Sequence, residues 1–138
     1  MCPVSVDPAE KAVGTDQEVR ELLADYFRAV EQHDLTRFLS FFLQDEHFTV
    51  VEDKETYDWT AFVAFAQGFF QAMAEIALQL ETCAVDPLGS GGAVATGVFK
   101  GVGRMASGEP VAFRNAFTFV LVRQADEWRI KHVHESSL

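Results

Sequence analysis

At 138 residues, 49% of them hydrophobic, the chain is the length of one domain and carries enough apolar side chain to bury a core without staples. A formal charge of -10, from 11 basic and 21 acidic residues, argues against nucleic acid or an anionic membrane surface as partner, since both recruit clustered Lys and Arg. No apolar run reaches membrane-spanning length, and the two cysteines, Cys2 and Cys83, show no CxxC or Cys/His metal spacing and fit a reducing cytoplasm.

Residues 1–14 carry Pro3, Pro8 and Gly14 and lack the apolar run of a signal peptide. They read as a flexible leader ahead of a single domain over 15–138. Thr15-Asp16-Gln17-Glu18 has the form of a capping box, so the first helix is expected to start there and end near His33. Val19, Leu22, Leu23, Tyr26, Phe27 and Val30 recur at three and four, which gives the helix one buried stripe. Asp34 is placed to cap a short second helix holding Phe38 and Phe42. A strand follows at 47–53, and Asp58 caps a third helix from 59 to about 74, rich in Phe on one face.

From Glu75 the apolar period becomes that of strands. Gly89-Ser90-Gly91-Gly92 and Ser107-Gly108-Glu109-Pro110 read as turns between long strands. Gly97, Gly101 and Gly103 predict bulges or tight curvature in the strand over 93–105. Further strands are expected over 111–122 and 127–136. In the last one, strict alternation places Trp128, Ile130, His132, His134 and Ser136 on one face and Arg129, Lys131, Val133 and Glu135 on the other. The expected inner face therefore runs from core into a polar cavity holding two imidazoles.

Three helices, an early strand and a four-strand meander define an α+β domain. A long, glycine-bearing sheet covered by one set of helices must curl, giving a cone-shaped curved sheet, mixed or antiparallel, wrapped around the N-terminal helices. The order of segments resembles the nuclear transport factor 2-like superfamily, in its SnoaL-like and calmodulin-kinase association-domain-like branches, a cystatin-like roll. The resemblance is carried by Tyr26-Phe27-Arg28-Ala29-Val30-Glu31-Gln32-His33-Asp34, by the helix over 38–42 with Phe48-Thr49-Val50-Val51 after it, and by Phe117-Thr118-Phe119-Val120 through Trp128-Arg129-Ile130 to His132-Val133-His134-Glu135-Ser136.

Several residues are candidates for chemistry. The position of Tyr26 resembles that of the oxyanion-binding tyrosine in steroid isomerases of this superfamily, where a phenol in an apolar pocket stabilises an enolate. The other reading is a core tyrosine bonded to a backbone carbonyl. Asp53 resembles the catalytic base of the same isomerases, although Lys54-Glu55-Thr56 follows it where they continue into Pro and Gly. The alternative for Asp53 is a solvated strand end. His132 and His134 could act as general acid and base, bind an acidic or carbonyl ligand, or tie the last strand to the helices by hydrogen bonds. Zinc would need a third ligand, for which only His47 and Glu52 offer themselves, so no metal is expected.

Arg114 and Asn115 sit on opposite faces of their strand, so at most one points inward. An inward Arg114 favours a carboxylate ligand, an inward Asn115 a carbonyl or hydroxyl. Trp59, Phe62 and Phe70 of the third helix either roof an apolar pocket or pack plainly in the core.

The resemblance implies one of two functions. The first is a pocket for a small apolar, carbonyl-bearing compound, with isomerisation, cyclisation or dehydration carried out without a cofactor. The second is a non-catalytic ligand-binding or assembly domain. In either case the sheet has more apolar residues than one inner face can bury, which predicts a homodimer through the outer face.

Overall fold

The structure, a computed structural model, describes residues 8–138. Met1–Asp7, with Cys2 and Pro3 of the expected leader, lie outside the described residues. Helix α1 runs over Pro8–Glu31, seven residues longer at its start than the capping-box reading. Pro8 suits a first helical turn because its missing N–H would have had no partner there, and Ala9, Glu10, Lys11 and Ala12 are strong helix formers. Thr15 is thus an interior, buried helical residue, not a cap. The Glu18 carboxylate, expected to turn back on the helix, reaches across the molecule to Arg123 and Trp128.

The other two helices begin where their caps predict. In α2 (Leu35–Ser40) the Asp34 carboxylate accepts from the Arg37 amide at 3.1 Å. In α3 (Trp59–Ala72) that of Asp58 accepts from the Ala61 amide at 2.9 Å. The strands are β1 (Thr49–Glu52), β2 (Glu55–Tyr57), β3 (Met73–Leu88), β4 (Gly92–Met105), β5 (Pro110–Gln124) and β6 (Glu127–Ser137). They form one six-stranded sheet in the order β2-β1-β6-β5-β4-β3. Only β1 and β6 run parallel, so the sheet is mixed. Strand β2, too short to show a period, is the element absent from the sequence reading. It closes a tight hairpin with β1 in which Asp53 takes φ 51°.

The expected irregularity near the β4 glycines lies in their neighbour. Strand β3 has register shifts between Met73 and Glu75 and between Leu80 and Thr82. The glycines make room for them. A Cβ on Gly97 would stand 2.0 Å from the Thr82 carbonyl oxygen, and one on Gly103 would stand 2.1 Å from that of Glu75. These close approaches let the sheet curl around α1.

The concave face of the sheet presents Ala93, Ala95, Phe99, Phe117, Phe119, Leu121, Trp128 and Ile130 to the stripe Val19, Leu23, Tyr26, Phe27 and Val30 of α1. Tyr26 is central to an aromatic cluster, with ring centroids 5.1 Å from Phe38 and 5.5 Å from Phe27 and Phe119. Each fully buried Phe of such a core contributes about 2–3 kcal/mol by removal from water. The opposite, convex face carries Val94, Val98 and Val120, none of them fully buried, and Val102, 56% exposed.

One irregularity decides the site. Leu121 pairs with Ile130, but Val120 pairs with His132, so β6 holds one extra residue, Lys131. The cause is a change of neighbour on the other edge of β6. Ile130 exchanges backbone hydrogen bonds with Phe41 and Leu43, whereas from His132 onward β6 lies beside β1. Lys131 falls at the switch and donates to Asp45, in the loop between those two segments, at 3.3 Å. A single inserted residue exchanges the two faces of everything beyond it. The alternation expected from sequence therefore fails after Ile130. Val133, Glu135 and Ser137 turn inward, and His132, His134 and Ser136 turn to the convex face, opposite Val120, Thr118 and Ala116.

Candidate functional site

Between α1, α3 and the concave sheet lies a cavity of about 240 Å³. Its wall is mostly aromatic and aliphatic, with Phe27, Phe62, Phe65, Phe69, Phe70, Phe99 and Phe113 prominent. The polar groups reaching it are those of Tyr26, Glu52, Asn115, Glu135 and Ser137. An apolar cavity with a few convergent polar groups is the usual form of a small-molecule site.

Strand pairing brings the polar groups together. Glu52 ends β1 and is the register partner of Glu135 on β6, and across β6 the partners are Phe117 with Glu135 and Asn115 with Ser137. Neighbouring strands lie about 4.8 Å apart, so the two glutamates sit side by side. Burial pushes the Glu135 carboxyl up to about 8. The nearby Glu52 charge adds to the rise, and the Asn115 side chain, by hydrogen bonding, pulls the other way. Burial also raises Glu52, with help from Asp53. The Tyr26 phenol is held well above its ordinary value by burial and by the charges of Glu135 and Glu52. Tyr26 is a buried core residue whose side chain also lines the cavity.

Of the residues singled out from sequence, Tyr26, Phe62, Phe70 and Asn115 line the cavity. Trp59 does not. Its ring packs 5.2 Å from Phe48, behind the wall. Asp53 is also outside. Its carboxylate accepts from the Ser137 amide at 2.7 Å and the Ser137 hydroxyl at 2.8 Å, bonds that hold its proton affinity below the usual carboxylate range. Its backbone amide donates to the Glu135 carbonyl at 2.9 Å. Asp53 thus fastens the end of β6 rather than facing a ligand.

The histidine pair is displaced by the bulge. His132 donates from Nδ1 to the Thr49 carbonyl at 2.8 Å, and His134 is exposed. Arg114 pairs with Glu81 at 2.9 Å on the convex side, which leaves Asn115 as the inward member of that dipeptide. Glu135 was assigned to the outer face by alternation alone, and the signal that places it inside is the change of neighbour at Ile130. Among the described residues no three His, Cys, Asp or Glu side chains converge as a metal ion would require. Among them, too, no helix is long and apolar enough to cross a membrane.

A curled, mixed sheet closed over an apolar cavity by three helices is the nuclear transport factor 2-like architecture. The chain belongs to the SnoaL-like domain family, whose model matches residues 19–138. Among solved structures it is similar to a nuclear transport factor 2-like superfamily protein from Salmonella enterica, at 18% identity and TM-score 0.82, covering 91% of this chain and 92% of that one. It is similar to an uncharacterized protein with a cystatin-like fold from Caulobacter vibrioides, at 17% identity and TM-score 0.75, covering 91% and 90%. A third similar structure is the hexachlorocyclohexane dehydrochlorinase LinA-type3 from Novosphingobium barchaimii, at 10% identity and TM-score 0.77, covering 94% and 90%. At these identities the likeness is one of fold. No curated protein sequence matches the chain.

Proposed function

We propose that the cavity takes a small apolar compound carrying a carbonyl group and moves a proton on it without a cofactor, in an isomerisation, cyclisation or dehydration. The observation that carries this reading is the side-by-side placement of Glu52 and Glu135 at the wall of an aromatic cavity. Two neighbouring carboxyls whose environments differ are suited to acid and base work near neutral pH. Glu135, with its proton affinity raised to about 8, is the proton carrier. Glu52 supplies the negative charge beside it. Tyr26 replaces the hydrogen bond that a developing oxyanion would lose on leaving water. The base role passes from Asp53 and the histidines to Glu135, because only the latter reaches the cavity wall. A hexachlorocyclohexane dehydrochlorinase is among the structures of this fold, which supports the reading.

The test is solvent-deuterium incorporation, followed by NMR, into a panel of cyclic ketones and enones incubated with the protein. Exchange should appear for at least one of them and fall by about 100-fold or more in Glu135→Gln. A panel that binds in the cavity yet never exchanges would reject catalysis and favour a binding module.

The convex face supports a second element of the reading, a homodimer. Val94, Val98, Val120 and the 56% exposed Val102 bring apolar side chains to the convex face of β4 and β5, with Lys100 and Arg114 between Val98 and Val102. Light scattering should give twice 15.4 kDa, and a Val102→Glu substitution should halve the mass.

A further inference from the structure

Eight residues of the cavity wall are phenylalanines and two are glutamates, while none is Lys, Arg or His. The basic side chains nearest in sequence to the site point elsewhere. His134, next to Glu135, and Lys54, two residues beyond Glu52, are exposed. Arg114 is paired with Glu81 on the convex side, and His132 bonds the Thr49 carbonyl. Two adjacent carboxyl groups therefore face an apolar chamber with no cation among the described residues to balance them. We infer that the ligand supplies the balance: the cavity takes an apolar compound bearing a basic nitrogen, whose ammonium group sits against Glu52 and Glu135 and over the faces of the wall rings.

The three charge classes of ligand separate on physical grounds. A carboxylate or phosphate would meet two acidic groups and no donor cation, in a setting where charge–charge terms are weakly screened. A neutral polar group would accept a hydrogen bond from the protonated carboxyl but bring no counter-charge to Glu52. An ammonium brings that counter-charge, favours ionisation of Glu135, donates to both carboxylates and gains cation–π attraction from the rings. The inference rests on the cavity being a ligand site, as proposed above, but not on turnover. A nitrogen at the glutamates leaves Tyr26 free for a carbonyl in the same compound.

Proton linkage provides a second readout. The groups that face Glu135 are Glu52 and Asp53 from β1 and its turn, Tyr26 from α1, Asn115 from β5 and Ser137 on its own strand. The wall contributions of α2, α3, β3 and β4 are apolar. An arriving ammonium favours ionised Glu135, so the Glu135 proton leaves for solvent as the amine binds. Amine affinity then climbs between pH 6 and pH 8, because fewer protons remain to be displaced.

The experiment is calorimetry of the full chain with three compounds of one compact cage shape, 1-aminoadamantane, 1-adamantanol and 1-adamantanecarboxylate, at pH 6 and pH 8. The amine stays protonated over this range. The expected result is amine binding about tenfold tighter than the alcohol at pH 8, a smaller gap at pH 6, proton release seen across buffers of different ionisation enthalpy, and no detectable carboxylate binding. Glu52→Gln should remove most of the amine preference over the alcohol. Alcohol binding as tight as the amine, or tighter, overturns the inference while leaving the cavity as a ligand site. Absence of binding by all three overturns both. Loss of deuterium exchange in the ketone panel bears on catalysis alone and leaves the amine preference standing.

Discussion

Glu52 and Glu135 are register partners on the parallel pair β1 and β6, and both carboxyl groups open onto one apolar cavity. Parallel pairing puts equivalent side chains of adjacent strands on the same face, so the proximity is fixed by the backbone rather than by chosen rotamers. The cost of placing two acids there is offset by keeping Glu135 protonated up to about pH 8.

That cost should be visible in stability. Glu135 binds its proton more tightly folded than unfolded, where its affinity is that of an ordinary glutamate. Between about pH 4.5 and pH 8 the folded state therefore holds more protons, and stability falls as pH rises through that window. Glu135→Gln should remove the slope and stabilise the protein by about 1–3 kcal/mol at pH 8.5, with little gain at pH 4.5. Urea titrations at the two pH values check it.

The coupling of the pair makes a separate prediction. The Glu52 charge is one cause of the raised affinity of Glu135. In Glu52→Gln the side-chain carbon resonance of Glu135 should titrate below pH 8, followed by NMR with labelled glutamate. An unmoved midpoint would mean that the Glu52 charge plays no part in setting it.

The bulge at Lys131 predicts which acid–base residues matter to a ligand. His132→Ala and His134→Ala should leave ligand affinity in the cavity within about twofold, since both side chains are on the convex side. His132→Ala should still cost about 1 kcal/mol, because the Thr49 carbonyl loses its 2.8 Å donor. Thermal melts and calorimetry on the same variants separate the two effects.

A fourth prediction concerns how α1 is held to the last hairpin. Glu18 Oε2 accepts from Arg123 at 2.5 Å and from Trp128 Nε1 at 2.6 Å, and the guanidinium lies 4.8 Å over the Trp128 ring. Glu18→Ala leaves both donors without a partner, beside an Arg123 Nε that already has none among the described residues. The loss should be about 1–3 kcal/mol, read as a lowered urea midpoint. Glu18→Gln should recover part of it.

Much of the fold is legible in the chain because its signals are local. Asp34 and Asp58 announce helix starts by a carboxylate three residues ahead of a free amide. The first helix shows the limit of such signals. Thr15-Asp16-Gln17-Glu18 has a cap pattern, yet Pro8 and the alanines after it carry the helix further back, and Glu18 finds stronger donors on β5 and β6. Asn115 and Arg114 could not be separated by parity alone. The burial of Phe117 and Phe119 on the Asn115 face settles which of them turns inward.

The sequence by itself determined the helix faces, the turns and the long strands of an α+β cone, since three-, four- and two-residue periods are properties of neighbouring residues. It also placed polar residues along the end of the final strand, with two imidazoles expected at the cavity. Only the tertiary structure decided which groups those are. The neighbour of β6 changes from residues 41–43 to β1 between Ile130 and His132, and one residue is extruded where it does. That switch depends on segments almost ninety positions apart in the chain, and it turns Glu135 into the cavity and the two imidazoles out of it.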